Sequence, residues 1–487
     1  MARNTAFMLV GQLLIKVLAF IFNVYVVRRL GSAHYGRYAT AIAYVAIFAM
    51  FTDLGTSALS VREMARREEV ATWMVPDVMA LRALLSVFAI AAATASAWLL
   101  GKTPDLVWGI FIASCGLLLY ALQGPLDSLL IAQERLDYSA AFKVLKQATF
   151  ISFGTLLLLI GGGYIGLLLA SLAGVLATGL ASAHVVRRAL GFQFDPPHPR
   201  RWGDLLRASF PFGLMGVVGT LAYRLDTVFM SFVLTDAAVG WYNVPLTLVT
   251  MMLLMAQSLA ISIYPSLIKE YNSDRGSIQN TVQRSLRYLL FLSLPLAVGG
   301  TLLADRIILL LYGQEFAPAI AVMQVLVWAL VPMFLAEVLG RTSAAMHLER
   351  KLAWLESIRS GASVVLTVAL ISGLGVIGAS YAYVINRFVR VLAMSILIGP
   401  SLLLKENVGP LLRVVSAGSI MGCAVWVSRD AAILVSVDDK IALVLLIGAG
   451  SVVYGAAALV LRAITPGELR YVYRVAKRRL GRSGRYR

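Results

Sequence analysis

Apolar runs of about twenty residues recur from one end of this chain to the other, each long enough to cross a hydrocarbon core of about 30 Å as an α-helix. No other feature limits the fold so tightly, because backbone polar groups in lipid must be satisfied within the segment that crosses it. The runs fall near residues 6–27, 38–61, 78–100, 106–132, 144–160, 164–186, 210–234, 237–263, 288–303, 319–339, 355–374, 376–397, 411–427 and 441–461. The fold class expected is an all-α polytopic membrane protein with about fourteen transmembrane helices. Composition agrees: 59% of the 487 residues are hydrophobic and 14% charged, against about 25% charged in an ordinary globular domain. A water-soluble fold could not hide that much apolar surface.

The first run follows Arg3 and shows no small-residue cleavage site before Arg28. It reads as a retained helix rather than a signal peptide. Cys115 and Cys423 sit inside apolar segments, and His34, His184, His198 and His347 are scattered singly. Neither a disulfide nor a metal or cofactor site is suggested.

Charge distribution sets the expected orientation. With the N-terminus in the cytoplasm, most of the 43 Lys and Arg fall in inside loops and the tail, and the positive-inside rule then places both termini in the cytoplasm of an inner (plasma) membrane. Arg28, Arg29 and Arg37 disobey, so something other than topology wants charge in that loop. The net charge of +18 follows largely from topology and carries no nucleic-acid reading. The segment 464–487 reads as a basic cytoplasmic tail, a surface helix on anionic lipid. Loops are too short to fold separately, so any chemistry belongs to the helix bundle.

A short internal repeat organises the runs. Leu30, Ala33, Gly36 and Tyr38 match Leu234, Ala237, Gly240 and Tyr242 at a constant offset. The offset spans an even number of helices, so the halves would be parallel repeats about an axis along the membrane normal, with a substrate cavity between them. The expected layout is an N-terminal bundle over 1–200 (helices 1–6), a second bundle over 201–400 (helices 7–12), two further helices over 401–463, and the tail.

Several motifs carry a family likeness: Leu30-Gly31, Tyr35-Gly36-Arg37-Tyr38, Asp53-Leu54-Gly55, Arg62-Glu63-Met64-Ala65-Arg66, Tyr223-Arg224-Leu225-Asp226, Gly240-Trp241-Tyr242 and Tyr312-Gly313-Gln314-Glu315-Phe316. In their order, and in their fit to a fourteen-helix hydropathy pattern, they resemble the polysaccharide and O-antigen flippases of the multidrug, oligosaccharidyl-lipid and polysaccharide exporter superfamily. The resemblance implies two pseudo-symmetric six-helix bundles around a central cavity and two C-terminal helices. It also implies an undecaprenyl-pyrophosphate-linked oligosaccharide as cargo for cell-surface polysaccharide biosynthesis. Beyond about Pro400 only the helix count supports it.

Ionisable residues at membrane depth are costly and mark candidate sites. Gln12, Lys16 and Asn23 share one face of the first helix, lining either substrate or a structural polar seam. Arg224 and Asp226 lie roughly 200° apart on the seventh helix and cannot pair along one face. Lys16 and Asp226 fall at similar depth, so a salt bridge and a transport role are both open. Asp53 and Arg82, toward the inner ends of adjacent helices, suit an ion pair, with a state-dependent latch as the functional alternative. In the twelfth helix Asn386, Arg387 and Arg390 fall near mid-depth, where two arginines aimed alike need a pyrophosphate or a carboxylate.

The candidate substrate-binding set is therefore Lys16, Arg224, Arg387, Arg390, Gln12, Asn23 and Asn386. Asp226, Asp53 and Arg82 form the coupling and ion-pair set, with a proton or sodium ion as the coupling candidate and no catalytic residue. Competing readings are a peptidoglycan-precursor flippase, which would carry the same pyrophosphate, and a multidrug exporter, for which an acidic cavity is expected. A membrane glycan polymerase or ligase would need clustered carboxylates and finds only Asp438-Asp439 outside. Such polymerases or glycosyltransferases remain candidate partners, beside the lipid-linked glycan and membrane lipids; oligomeric state is not legible.

Overall fold

The computed structural model describes residues 2–273, 275–399, 408–429 and 439–463. All regular structure in it is helical: α1 Ala2–Asp53, α2 Thr56–Arg66, α3 Ala71–Leu99, α4 Pro104–Ala132, α5 Leu136–Leu159, α6 Gly163–His184, α7 Trp202–Val233, α8 Asp236–Ser273, α9 Arg275–Leu302, α10 Ala304–Tyr312, α11 Ala319–Leu326, α12 Leu330–Ala345, α13 Glu349–Ile398, α14 Val408–Arg429 and α15 Asp439–Val460. Ten helices among the described residues are long and apolar enough to span, or eleven with the bent pair α1–α2 as one span. The expected fourteen is not fixed by that count, in which α1 and α13 each enter once although each is broken inside.

The breaks are glycines. At 52 residues an unbroken α1 would be roughly 78 Å long, and it leaves helical geometry at Gly31 with φ 74° and ψ 175°. In α13 the break is Gly375 at φ 60° and ψ −135°, conformations open to glycine and strained for any residue with a Cβ. Glu356 and Arg390 would stand roughly 51 Å apart in a straight helix, yet they form an ion pair at 2.7 Å. The chain must therefore reverse between them, and α13 is a helical hairpin turning at Gly373-Leu374-Gly375. The Gly161-Gly162-Gly163 turn between α5 and α6 is equally tight, with Gly162 N–H on the Leu157 carbonyl at 2.8 Å.

The chain divides into two compact units, Arg3–Gly240 and Trp241–Arg487. In the first, α2, α3, α4 and the start of α7 share a buried apolar cluster that includes Leu59, Met74, Leu129 and Leu205. Asp77, wholly buried on α3, accepts the His198 N–H at 2.5 Å and so straps the linker between α6 and α7 to the bundle. In the second unit α14 and α15 pack on α9 through Leu294, Val414, Met421 and Leu446. Small residues permit that approach: a Cβ on Gly418 would stand 2.6 Å from Leu294 Cδ2. The tail lies outside the described residues, as does Asp438.

Candidate functional site

The second apolar run does not make one straight helix. It breaks at Asp53-Leu54-Gly55, where Leu54 and Gly55 take φ 41° and 81°. α7 fills the notch: a Cβ on Gly55 would lie 2.3 Å from Gly213 N, and one on Gly213 would lie 2.5 Å from the Leu54 carbonyl oxygen. Ending α1 there exposes the N-terminal amides of α2, and Asp53 caps them, its Oδ1 accepting from Ser57 N–H at 3.1 Å and Ser57 Oγ at 2.9 Å. Arg82 of α3 reaches the same oxygen through Nη2, and donates through Nε to Thr56 Oγ1 at 2.8 Å. The structure thus brings Asp53 and Arg82 together, around a helix break that hydropathy does not reveal.

One of the three disobedient arginines, Arg37, has its own explanation. Arg37 donates through Nη1 to Asp105 at 2.7 Å and through Nε to Asp236 at 2.8 Å, joining the first turns of α4 and α8. Beside it the repeat closes on itself. A Cβ on Gly36 would stand 1.7 Å from the Asp236 carbonyl oxygen, and one on Gly240 would stand 2.3 Å from that of Ser32. Gly36 and Gly240 correspond in the repeat at the same offset as Ser32 and Asp236. The two contacts are therefore the same contact related by a local pseudo-twofold axis, and the repeat seen in four identities is physical at this point. Lys102 completes the corner, donating to the Ser231 carbonyl with its Nζ 4.0 Å from the Phe232 ring centroid. Burial pushes its ammonium down to about 8, with Asp236 acting in the opposite sense.

Of the other sequence candidates in this unit, Lys16 is exposed and Asn23 is partly buried with an unpartnered Oδ1. Only the helical backbone of Gln12 is described. Asp226 Oδ1 accepts the backbone N–H of the next residue, Thr227, at 2.7 Å. Arg224 and Asp226 are both half-buried on α7.

In the second unit Arg390 binds Glu356 Oε1 through Nε at 2.7 Å, while Arg359 binds Oε2 of the same carboxylate through Nη2 at 2.6 Å. Arg387 lies over the Tyr383 ring, 4.5 Å from its centroid, and donates to that hydroxyl at 3.0 Å. Asn386 is half-buried beside it. Glu356 was not among the sequence candidates. Its signal is that Glu356 and Arg390 lie equally far on either side of Gly373, the first residue of the turn. Trp241, from the repeat motif, donates Nε1–H to the Glu315 carbonyl at 3.2 Å, so two of the family landmarks touch.

Broken apolar helices, partly buried ion pairs between them and a locally two-fold repeat define a polytopic membrane protein. Residues 1–271 match the polysaccharide biosynthesis protein family, and the chain belongs to that family. Its fold is similar to that of the lipid II flippase MurJ in an inward closed conformation, with TM-score 0.74 and 16% identity over 93% of this chain and 98% of the other. It is also similar to an inward-facing multidrug-resistance MATE transporter of the MOP superfamily, with TM-score 0.61 and 16% identity over 78% of this chain and 94% of that one. The probable low-salt glycan biosynthesis flippase Agl15 of Haloferax volcanii is 22% identical over 258 residues, 52% of this chain and 53% of its own. The chain thus spans about half the length of that curated relative.

Proposed function

We propose that the protein is a flippase that moves an undecaprenyl-pyrophosphate-linked oligosaccharide from the cytoplasmic to the outer leaflet by alternating access, with both termini in the cytoplasm. The observation that carries this reading is membership of the polysaccharide biosynthesis family in a chain whose fold resembles that of a lipid flippase over 93% of its length. A pyrophosphate cannot cross hydrocarbon without compensating cations, because burying unpaired charge costs several kcal/mol or more. Lys16, Arg224, Arg387 and Arg390 are the cations this reading assigns to it, with Gln12, Asn23 and Asn386 as neutral partners. Arg390 already holds a carboxylate, so in this reading Glu356 occupies it until phosphate arrives. Asp226 is the assigned coupling residue, for a proton or sodium ion. Carrier action, not catalysis, accounts for the residues available.

Deletion of the gene tests this. One intact lipid-linked glycan should accumulate at the cytoplasmic face, and Ala at each of the four cations should impair export at normal protein level. Arg→Lys at 224 or 387 should rescue only in part, since a forked two-point contact is lost. Normal export in the deletion strain, with no accumulated intermediate, would remove the flippase reading.

A further inference from the structure

Between the end of α1, α2, α3 and α4 lies a cavity of about 600 Å³, within the range of roughly 300–1,000 Å³ typical of small-molecule sites. Its wall is strongly polar for a bundle of apolar helices: Asp53, Ser57, Arg82, Tyr120, Gln123 and Asp127 all line it. Polar groups at such a place are expensive unless something satisfies them.

Several are satisfied only in part. Arg82 is 6% exposed, and its Nε and Nη2 are engaged by Thr56, Ser57 and Asp53. A guanidinium carries five N–H donors, and Nη1 meets no acceptor among the described residues. It points past Gly124, where a Cβ would stand 2.7 Å from it. The glycine therefore keeps this donor in reach of the cavity. Asp53 presents the complementary group: every bond its carboxylate accepts falls on Oδ1, which leaves Oδ2 open on a side chain that is 41% exposed. Asp127 likewise spends Oδ1 on Ser139 Oγ at 2.8 Å. Gln123 has no hydrogen-bond partner among the described residues. Pro125 offers no N–H to the Ala121 carbonyl one turn back in the wall. The Tyr120 ring, 42% exposed, stands at the rim with Lys146 Nζ 4.5 Å from its centroid.

The ligand chemistry follows from this set. Within the wall two carboxylates face one already-paired arginine, which disfavours a phosphate there while Lys146 stays at the rim on Tyr120, and the guanidinium opposes a lone cation. A neutral polyhydroxylated ring fits, because adjacent hydroxyls each donate and accept, matching an open Oδ2 beside an open Nη1–H. Resting on the flippase reading, we propose that this cavity is a carbohydrate subsite that holds one uncharged sugar ring of the lipid-linked glycan, with Asp53, Arg82, Gln123 and Asp127 as its hydrogen-bonding groups and Gly124 as the gap that keeps Arg82 available.

The test uses the full-length protein in the deletion strain, supplied in turn with two lipid-linked glycans that differ in a single sugar. Gln123→Ala and Gly124→Ala are compared with the unaltered chain for protein level, thermal stability and export of each glycan. The subsite predicts that at normal level and stability at least one variant changes the ratio of the two exports fivefold or more. An unchanged ratio in both variants, whether export is kept or falls equally for both glycans, overturns it. Should Gly124→Ala fail to accumulate, Gln123→Ala alone decides, since it removes only a side chain at the wall. Failure of the flippase reading is distinguishable, because the unaltered protein would then export neither glycan.

Discussion

Gly36→Ala tests the local two-fold contact most directly. The new methyl would start 1.7 Å from the Asp236 carbonyl oxygen and 2.7 Å from its carbon, both backbone atoms that cannot rotate away. Restoring ordinary separation requires the α7–α8 corner to retreat by roughly 1.5 Å. That movement would also stretch the 2.8 Å Arg37–Asp236 bond beyond hydrogen-bonding range. Overpacking of this kind costs about 1–3 kcal/mol, and a half-exposed ion pair adds at most about 1 kcal/mol. Against this stands a gain of about 1 kcal/mol for Gly→Ala within a helix, so the net loss is about 2 kcal/mol. Gly203→Ala is the matched control, since its Cβ would meet nothing within 4 Å and should show the helix gain alone. The variants should then differ by about 3 kcal/mol, or roughly 6–12 °C in Tm for a unit of this size. Gly240→Ala should behave like Gly36→Ala, and the double variant should cost less than the sum because both open one contact. Equal melting temperatures for Gly36→Ala and Gly203→Ala, by thermal unfolding of the purified protein, would refute the close approach.

Arg82→Ala should lower membrane protein level more than Asp53→Asn, because the amide oxygen can still cap α2 and accept from Arg82 whereas losing the guanidinium leaves a carboxylate uncompensated; immunoblotting of membranes checks this, and equal levels would count against it. Lys102 is pushed down to about 8, so between that pH and its ordinary value the unfolded chain binds more protons than the folded one and stability should rise with pH. Lys102→Gln should flatten that rise in Tm measured across the same window, and an identical slope in both proteins would show that the lysine is not desolvated. Glu356→Gln should tighten binding of inorganic pyrophosphate to the purified protein severalfold, by calorimetry, if Arg359 and Arg390 reach substrate; unchanged or weaker binding would leave them a structural staple.

Hydropathy located the helices well where both ends are apolar and poorly where they are not. The runs at 144–160 and 288–303 cover only the C-terminal parts of longer helices, Leu136–Leu159 and Arg275–Leu302. Lys143, Gln147, Gln279, Gln283 and Arg287 depress mean hydropathy there without disturbing helix formation, since long polar side chains are good helix formers. The break at Gly55 was invisible for the opposite reason. Leu54 and Gly55 do not alter hydropathy, and only the αL geometry shows that Asp53 caps α2. Pairings depended on topology: Asp53 and Arg82 lie in successive apolar runs, toward the same end of each, and could be paired from sequence. The Glu356–Arg390 pair could be found only by folding α13 back on its glycine turn. Arg37 announced itself by breaking the charge rule, but its partners Asp105 and Asp236 come from turns that look like ordinary loop ends.

The motifs that carry the family likeness and the charges assigned to cargo answer to different physical demands. Gly36, Gly55 and Gly240 stand where one backbone passes within a Cβ's width of another, and Trp241 ties its motif to the carbonyl of Glu315. Substituting any of them changes how helices meet. Lys16, Arg387 and Arg390 lie outside those motifs, where a different side chain alters charge before it alters the backbone packing of helices, although Arg390 also ties the two arms of α13 through Glu356; Arg224 lies inside one. A match built on the first kind of residue therefore constrains architecture closely and cargo loosely. On the proposed flippase reading, the identity of the glycan is to be sought in side chains that line space, such as Gln123 and Asp127, where a change in chemistry can alter what is carried without altering the fold.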